Sequence, residues 1–329
     1  MNARRILIIR PDRVGDVVLT TPLIRSIRQS FPDAFLCVMV SPLNVPLLEQ
    51  NPHINEIITD DPSGADAGRS GFWRKVALVR GYNFDTGLMP FPRERHAWMM
   101  FFAGIRTRIG VGHKLYEMLT FMPTVSRHKY IPLRHEADYM MDLGRRIGVT
   151  SLDMRPELFI ADDEKKNARI RLSSLGLDLQ RPIVGVNPLS RGSVPNWKPE
   201  KYFEFIEKLL SQYSVAINLA PYEAAERVRF GVLEQRGALI LMETLRDHMA
   251  SVSQFDVLVS SSTGPMHIAA GLGIPTVSIF CPLPPCSPQL WGPLGIAQKY
   301  SSQGPTTARF DALRTQRFAL WKTSKSNQS

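Results

Sequence analysis

Residues 255–280 read FDVLVSSSTGPMHIAAGLGIPTVSIF, and this stretch decides the fold. A strand-like run at residues 255–260 leads into a small polar turn and then into small apolar residues. A β-branched run follows at residues 276–280. Pro265, directly after Gly264, suits the first position of a helix. The stretch therefore predicts a β-strand, an α-helix and a second, parallel β-strand, which is the repeating unit of an α/β fold.

The same alternation extends over most of the chain. Strand-like runs occupy residues 5–10, 35–40, 56–59, 84–89, 182–187, 214–219, 238–242, 255–260 and 276–280. Helical patterns such as residues 199–212 and 224–235 lie between them. Because the alternation restarts near residue 182, it predicts two doubly wound Rossmann-like domains, whose ligands bind at the carboxyl ends of parallel strands. We place the domains at residues 1–155 and 156–304, followed by a polar, basic tail at residues 305–329.

The first strand runs into the loop RPDRVGDVVLTTP at residues 10–22. Gly15 permits a tight turn, and Asp16 then falls at or near a helix start, where the helix dipole favours an ionised carboxylate. Such a carboxylate, if it faces a cleft, can accept the proton of a hydroxyl nucleophile. The alternative is that Asp16 only caps the helix. Pro22 either kinks this helix or begins it, with Thr21 as its cap.

A second polar loop, SSTGPMH at residues 261–267, follows the strand-like run at residues 255–260. The N–H groups and the dipole of the helix that starts near Gly264 predict a site for a diphosphate. His267, about one turn into the helix, can add a hydrogen-bond donor. The alternatives are ordinary capping by Ser262 and Thr263, and a buried histidine whose hydrogen bonds are already satisfied.

A third loop, PLSRGSVPNWKPEKY, follows the strand-like run at residues 182–187. Ser190, Arg191 and Lys198 offer a hydroxyl group and cations, which together suit phosphate oxygens. The alternative is a solvated basic loop. Trp197 is interpreted as a core residue rather than as a stacking platform.

Charge is distributed unevenly along the chain, whose net charge is +10. Residues 1–150 carry 20 Lys and Arg against 14 Asp and Glu, whereas residues 151–304 carry 15 of each. A basic surface attracts phosphates or an anionic membrane, although it also serves simple solubility. No aromatic–basic stripe accompanies the charge, which argues against nucleic-acid binding.

The longest apolar stretches are too short to span a bilayer, and the 3 cysteines lack the spacing of a zinc site.

Three stretches together resemble glycosyltransferase family nine, the ADP-heptose:lipopolysaccharide heptosyltransferases. They are ILIIRPDRVGDVVLTTPLIRSIRQSFPDA at residues 6–34, NPLSRGSVPNWKPEKYFEFI at residues 187–206, and VSSSTGPMHIAAGLGIPTVSIFCP at residues 259–282, with WGP at residues 291–293. The resemblance implies a GT-B fold, an inverting mechanism and neither a metal nor another cofactor. It also implies that the acceptor binds the first domain and the nucleotide-sugar donor binds the second.

The resemblance carries over to individual residues of the first domain. Asp16 matches the candidate base of the family. Arg10, Arg13 and Gly15 lie beside it on what would be the acceptor side. A single glycine in this loop also argues against a dinucleotide-binding oxidoreductase, which would show G-x-G-x-x-G after its first strand.

Positions in the second domain match the donor site of the family. The implied donor-binding set is Ser190, Arg191, Lys198, Ser262, Thr263, Gly264, Pro265, His267 and one of two acidic residues, Glu223 or Glu226. Pro195, two residues before Trp197, stands where many members have Lys. Lys198 lies after Trp197 instead, and whether its side chain reaches the same phosphate stays open. Ser262 stands where many members have Asp. Both departures bear on the identity of the donor more than on the fold.

The sequence thus predicts a glycosyltransferase that moves heptose or a related sugar from an ADP-sugar to the inner core of lipopolysaccharide or a similar anionic glycolipid. The alternatives are a divergent, non-catalytic sugar-nucleotide-binding protein and a nucleotide-sugar epimerase. We expect a cytoplasmic protein that binds peripherally to the cytoplasmic face of the inner membrane. The segment expected to meet the membrane is the apolar run at residues 96–105, flanked by Arg93, Arg95, Arg106, Arg108 and Lys114, and its alternative is an ordinary buried helix.

Overall fold

The computed structural model describes residues 5–126, 133–190, 192, 195–295 and 298–301, the last four through their backbone alone. Two separate six-stranded sheets, both entirely parallel, form the framework. The predicted tail at residues 305–329 lies outside the described residues. The segment at residues 151–161, which contains the predicted domain boundary, has neither helix nor strand.

The first sheet has the strand order β3-β2-β1-β4-β5-β6. Its strands are β1 (Arg5–Ile9), β2 (Phe35–Val40), β3 (Glu56–Thr59), β4 (Thr86–Leu88), β5 (Thr107–Val111) and β6 (Thr124–Val125). The helices of this half are α1 (Val14–Val18), α2 (Thr21–Ser30), α3 (Val45–Leu48), α4 (Gly68–Gly81), α5 (Glu94–Phe102), α6 (Leu115–Leu119) and α7 (Glu136–Arg146). A short 3₁₀ helix at Pro42–Asn44 precedes α3.

The second sheet has the order β12-β11-β10-β7-β8-β9. Its strands are β7 (Ile183–Asn187), β8 (Ser214–Leu219), β9 (Leu239–Met242), β10 (Val257–Ser261), β11 (Thr276–Ile279) and β12 (Gln298–Ser301). Its helices are α8 (Asp162–Ser174), α9 (Pro199–Leu210), α10 (Ala224–Glu234), α11 (Leu245–Val252), α12 (Gly264–Gly271) and α13 (Pro288–Trp291). Two 3₁₀ helices, Pro221–Glu223 and Pro284–Cys286, complete the described elements.

All nine strand-like runs form strands, with bounds within two residues of the prediction. Three strands were not predicted: β5, β6 and β12. Their sequences, TRIGV, TV and QKYS, lack the continuous apolar character of a buried parallel strand. Pairing with a neighbouring strand in the sheet, rather than local pattern, makes these segments extended.

Apolar side chains of β1 alternate between two clusters, as the pleat of a strand requires. Leu7 and Ile9 enter a cluster that is confined to the first half of the chain. Ile6 and Ile8 enter a larger cluster that also contains Leu258 of β10 and Ile268 of α12. One apolar cluster therefore continues from the first sheet into the second.

Helices α1 and α12, which follow the central strands of the two sheets, pack directly against each other. A Cβ atom at Gly264 would lie 3.1 Å from the Cγ1 atom of Val14, and one at Gly271 would lie 3.4 Å from the Cγ1 atom of Val18. The glycines of α12 thus allow the two helices to approach closely. The backbone N–H of Leu158 donates to the carbonyl of Gly271 at 2.8 Å and fixes the connecting segment to the same junction.

The apolar run at residues 96–105 is a core helix on one side only, because Trp98, Phe101 and Phe102 are half-buried. Helix α5 buries His96, Ala97, Met99 and Met100. Among the described residues, no helix has the length and apolar character needed to cross a bilayer.

Candidate active site

Asp16 is the third residue of α1 and lies in its first turn, directly beyond the carboxyl end of β1. Arg13 occupies the N-cap position, and its side chain makes no capping hydrogen bond. The interpretation of Asp16 as a cap is therefore wrong, although its carboxylate still benefits from the positive end of the helix dipole.

Pro22 is the second residue of α2, which begins at Thr21, so it starts a new helix and does not kink α1.

Arg10 lies beneath Asp16 and is almost completely buried, with 1% of its side chain exposed. Its Nη2 atom is 2.7 Å from Oδ1 of Asp16, and its Nε atom is 2.8 Å from Oδ1 of Asp12. The carboxylate of Glu136, which is fully buried, lies 3.9 Å from Nη2. Buried charges require such partners. Arg10 was predicted on the acceptor side, but its burial favours a role in holding Asp16, whose side chain is 16% exposed.

Helix α7 contributes residues to this site that the sequence analysis missed, namely Glu136 and His135. His135 is the N-cap of α7: its Nδ1 atom accepts the N–H of Ala137 at 3.1 Å. Its Nε2 atom then carries the proton and donates to the carbonyl of Gly292 at 2.8 Å. Burial lowers the pKa of His135, which keeps the ring neutral. An acidic first turn signals a helix start at this point, but no local pattern indicates a partner 157 positions away.

The second half of the site is the start of α12, which follows β10 directly. Thr263 occupies the N-cap position without a side-chain capping bond, Gly264 is the first helical residue, and Pro265 is the second rather than the predicted first. N–H groups at an uncapped helix N-terminus can bind an anion. Ser262, Thr263, Gly264 and Pro265 are all partly exposed, so a ligand can reach this turn.

His267 lies one turn into α12 and is 4% exposed. Burial is the main cause that lowers the pKa of His267 to about 3; the neighbouring His135 also lowers it, and the carboxylate of Asp16 opposes both effects. The ring is therefore neutral near pH 7. Among the residues that the structure describes, its Nδ1 atom has no hydrogen-bond partner. The interpretation of His267 as a satisfied core histidine is not supported, because a buried polar atom without a partner costs free energy that a ligand or water can recover.

The two loops meet across the junction of α1 and α12. A Cβ atom on Gly15 would lie 2.8 Å from Cδ2 of His267 and 3.6 Å from Cα of Gly264. Any side chain at position 15 would therefore displace the ring of His267. Gly15, predicted for a tight turn, instead provides the space in which Asp16 and the start of α12 become neighbours.

The remaining predicted donor residues follow β7 and β8. Asn187 of β7 pairs in register with Ser260 of β10, so the loop that contains Ser190 begins beside the loop that precedes α12. Ser190 is partly exposed, Lys198 is exposed at the N-cap position of α9, and Arg191 lies outside the described residues. The loop is braced by Asn196, whose side chain donates to the carbonyl of Pro188 at 2.8 Å. Asn196 had no predicted role.

Glu223 and Glu226 both lie beyond the carboxyl end of β8, but they differ in their contacts. The carboxylate of Glu223 accepts the N–H of Ala220 at 2.8 Å and closes the turn before α10. The carboxylate of Glu226 lies 3.7 Å from the guanidinium of Arg229 on the same helix. Within the described part of the chain, no group of three or more His, Cys, Asp or Glu residues is arranged to hold a metal ion.

Comparison with known proteins decides the family. The family model for glycosyltransferase family 9 (heptosyltransferase) matches residues 73–321, well over half of the chain. The chain belongs to glycosyltransferase family 9. The likeness stated from the three sequence stretches is thereby confirmed, and the chain is a glycosyltransferase.

Relatives of this family 9 glycosyltransferase extend the match along its length. Lipopolysaccharide heptosyltransferase 2 of Escherichia coli is 26% identical over 296 residues, which cover 85% of this chain and 84% of the relative. The structure of E. coli ADP-heptose lipopolysaccharide heptosyltransferase II superposes with a TM-score of 0.78 at 20% identity, covering 98% and 99% of the two chains. A family 9 glycosyltransferase of Veillonella parvula gives the same TM-score at 21% identity, covering 100% and 92%. The predicted GT-B fold is confirmed.

Buried polar side chains beneath the predicted donor loops of this family 9 glycosyltransferase had no role in the sequence prediction. Asn187 of β7 pairs in register with Ser260 of β10, and Asn218 of β8 directly follows Ile217, the partner of Val186. Both side-chain amide atoms of Asn218 and the Oδ1 atom of Asn187 lack a hydrogen-bond partner among the described residues. Polar atoms buried in this way commonly bind ordered water. The asparagines fall within the strand-like runs at residues 182–187 and 214–219, and an amide at the end of an apolar run is the signal that could have identified them.

Proposed function

We propose that this enzyme transfers heptose from ADP-heptose to the inner core of lipopolysaccharide or a similar anionic glycolipid, with inversion at the anomeric carbon and without a metal ion. The observation that carries the proposal is the contact between α1 and α12. It brings Asp16 and the uncapped start of α12 to the same junction. A general base beside an anion-binding helix terminus is what a single displacement with a diphosphate leaving group requires.

The acceptor hydroxyl would be activated by Asp16. Its carboxylate accepts the hydroxyl proton while the oxygen bonds to the anomeric carbon of the donor. The bond between that carbon and the diphosphate oxygen breaks, and its electron pair leaves with ADP. A general base of this kind contributes on the order of 10²–10⁴ in rate. Arg10 supports the step by fixing one oxygen of Asp16 at 2.7 Å.

The charge that develops on ADP would be met by groups of the second half of the chain. The N-terminus of α12 supplies N–H groups, and His267 supplies a neutral ring that can hydrogen-bond without a competing charge. One such preorganised donor contributes roughly 2.7–4 kcal/mol to the transition state. Ser190, Lys198 and Arg191 are proposed for the outer phosphate oxygens. Of the two acidic candidates we favour Glu226 for the nucleoside, because Glu223 already closes a turn.

The names of the relatives support this choice of donor and acceptor, since the E. coli proteins are an ADP-heptose lipopolysaccharide heptosyltransferase and a lipopolysaccharide heptosyltransferase. An acceptor that is part of a glycolipid lies at a membrane. We therefore propose that the enzyme acts from the cytoplasm, bound peripherally to the cytoplasmic face of the inner membrane.

Donor specificity is tested by a thermal-shift panel of ADP-, GDP- and UDP-sugars. A ligand that binds only the folded state raises the free energy of unfolding by about 2.7 kcal/mol at a concentration of 100 Kd. We expect ADP-heptose to give the largest increase in Tm. A larger increase with a UDP- or GDP-sugar would overturn the assignment of the donor.

The reaction is tested by following donor turnover with and without acceptor. We expect turnover only with acceptor, unchanged by EDTA, with NMR of the product reporting an inverted anomeric centre. Turnover without acceptor would indicate an epimerase. Binding without turnover under both conditions would indicate a non-catalytic protein.

A further inference from the structure

Five aromatic rings of α4 and α5 form a continuous group at the surface of the first half of the chain. Their ring centroids lie 5.0 to 6.4 Å apart in successive pairs. The group comprises Phe72, Trp73, Trp98, Phe101 and Phe102. Trp73 is 50% exposed, the other four are half-buried, and four of the five line a groove of about 780 Å³.

Helix α6 presents an apolar face to solvent beside this group. Leu115, Met118, Leu119 and Phe121 are 70%, 69%, 54% and 79% exposed. The helix is fixed from its other side, where Glu117 is fully buried and accepts the N–H of Lys114 at 2.6 Å. Single exposed apolar residues are ordinary, but four among seven consecutive positions form a patch of the kind that marks an interaction site.

Arg108 joins the two groups into one surface. Its guanidinium carbon lies 5.4 Å from the ring centroid of Phe101, and its Nη2 atom donates to the carbonyl of Thr120 at 2.7 Å. Thr120 lies between Leu119 and Phe121. We call the surface formed by the five rings, the three exposed α6 side chains and Phe121, which follows the helix, the apolar face.

Basic residues surround the apolar face. Of the five that the sequence placed beside the apolar run, two already have partners within the protein. Arg95 is bound to both carboxylate oxygens of Asp60 at 2.9 Å, and Arg108 donates to the backbone carbonyl of Thr120, so both guanidinium groups already have partners within the protein. The exposed cations on α4, α5, α6 and their adjoining loops are Arg69, Arg74, Arg80, Arg93, Arg106 and Lys114. An exposed apolar face with a basic border complements an anionic lipid surface, where aromatic rings lie at the level of the headgroups.

We infer that the apolar face inserts into an anionic lipid bilayer to the depth of the upper acyl chains, while the bordering cations pair with headgroup phosphates. Helices α4, α5 and α6 all begin after carboxyl ends of strands in the first sheet, the same edge at which α1 carries Asp16. Docking by this face brings that edge to the membrane. The inference rests on the proposed function in one respect, the lipid-linked acceptor, and it names the surface by which the enzyme reaches it.

The test uses the full chain and sedimentation with vesicles of phosphatidylcholine alone or mixed with phosphatidylglycerol. We expect binding to the anionic vesicles and a loss of at least about tenfold in the partition coefficient for the double substitution Leu119→Ser and Phe121→Ser, because burial of one such side chain is worth this much or more. The matched control, Val228→Ser with Val232→Ser, removes two exposed apolar side chains of α10 and should bind like the wild type.

Depth is measured with lipids brominated in the upper acyl chain, which quench nearby tryptophans. We expect quenching in the wild type and less quenching in Trp73→Phe at equal binding. Unchanged binding of the double variant would mean that charge alone holds the protein at the membrane and would overturn the inference, as would absence of vesicle binding. A dimer in sedimentation that the double variant dissociates would also overturn it, since a second copy would then cover the face.

Calorimetry of ADP binding on the same variants keeps this inference separate from the proposed function. The apolar-face variants should bind ADP like the wild type. If the variants lose vesicle binding but keep ADP binding, the substitutions have affected the membrane surface and not the donor site. If the wild-type protein binds vesicles but no donor, the result contradicts the proposed function and leaves this inference standing.

Discussion

The two loops that meet at the junction of α1 and α12 differ in how their polar groups are satisfied. The loop after β1 is crowded with charge: one buried Arg10 lies within 4 Å of the carboxylates of Asp12, Asp16 and Glu136. The loop before α12 contains no charged residue. Its helix start has no side-chain cap, and His267 keeps one buried nitrogen without a partner in the described part of the protein.

This difference indicates different tasks. A carboxylate that is already fixed by a guanidinium needs no rearrangement before it accepts a proton, which suits a general base. A neutral helix start with unused donors has no anion of its own to release, which suits a diphosphate. Mutations in the first loop should therefore lower turnover and stability, whereas mutations in the second loop should weaken donor affinity.

The largest expected effect is that of Asp16→Asn on turnover. We expect transfer to fall by at least ~10²-fold, because the amide cannot act as a base, while ADP affinity and Tm stay close to the wild type. Asp162→Asn, at the exposed start of α8, is the control and should be fully active. Near-normal turnover of a folded Asp16→Asn enzyme would exclude Asp16 as the base and direct attention to Asp12.

Arg10→Met should have the next largest effect, on stability. Removing the guanidinium leaves buried carboxylates without their cation, so we expect a loss of about 3–5 kcal/mol in the free energy of unfolding, measured by urea denaturation. Arg10→Lys should recover part of this loss, and Arg13→Met, which removes an exposed cation from the same loop, should cost little. A loss below ~1 kcal/mol for Arg10→Met would show that the three carboxylates do not depend on it.

Gly264→Asp should act on the other loop and weaken ADP binding on the order of 100-fold, since a carboxylate at the helix start repels the diphosphate at short range. Gly264→Asn is the matched control, because it places a side chain of similar size in the same 3.1 Å contact with Val14 but adds no charge. Isothermal calorimetry measures both. Equal affinity of the two folded variants would place the donor elsewhere.

His267 should give the smallest effect, a dependence of stability on pH. The pKa of His267 is about 3 in the folded protein, against an ordinary value of 6.5 for a solvated histidine. Between these values the unfolded state binds more protons, so stability falls as pH falls, by roughly 2 kcal/mol for this group at pH 5 relative to pH 7. His267→Gln should reduce the difference in urea midpoint between pH 7 and pH 5.

His248 on α11 provides the comparison for this measurement, because burial lowers its pKa to about 4. His248→Gln should also reduce the dependence on pH, but it should leave ADP affinity unchanged, whereas His267→Gln should weaken ADP binding modestly. A pH dependence that is identical in wild type and His267→Gln would contradict the neutral, buried state of this ring.

Local sequence predicted the central strands well because their apolar runs determine burial on both faces of a parallel sheet. It failed at β5, β6 and β12, whose polar or very short sequences become strands only beside a neighbour. The position of Asp16 in a helix start followed from Gly15 and the end of β1. Glu136, the fully buried carboxylate near Arg10, could not be predicted, since it lies far from Arg10 in the chain and no pattern indicates which acid a buried arginine meets.

The sequence by itself determined the nine strands with apolar runs, the two loops with chemical groups, and the family resemblance, because each depends on residues close together in the chain. Only the tertiary structure decided that Gly15 makes room for His267, that Arg10 is buried under Asp16, and that Arg95 turns inward while the apolar side chains of α6 stay exposed. These features depend on which surfaces of α1, α7 and α12 pack together. Packing is set by the shape and burial of the whole core, which no local stretch of sequence contains.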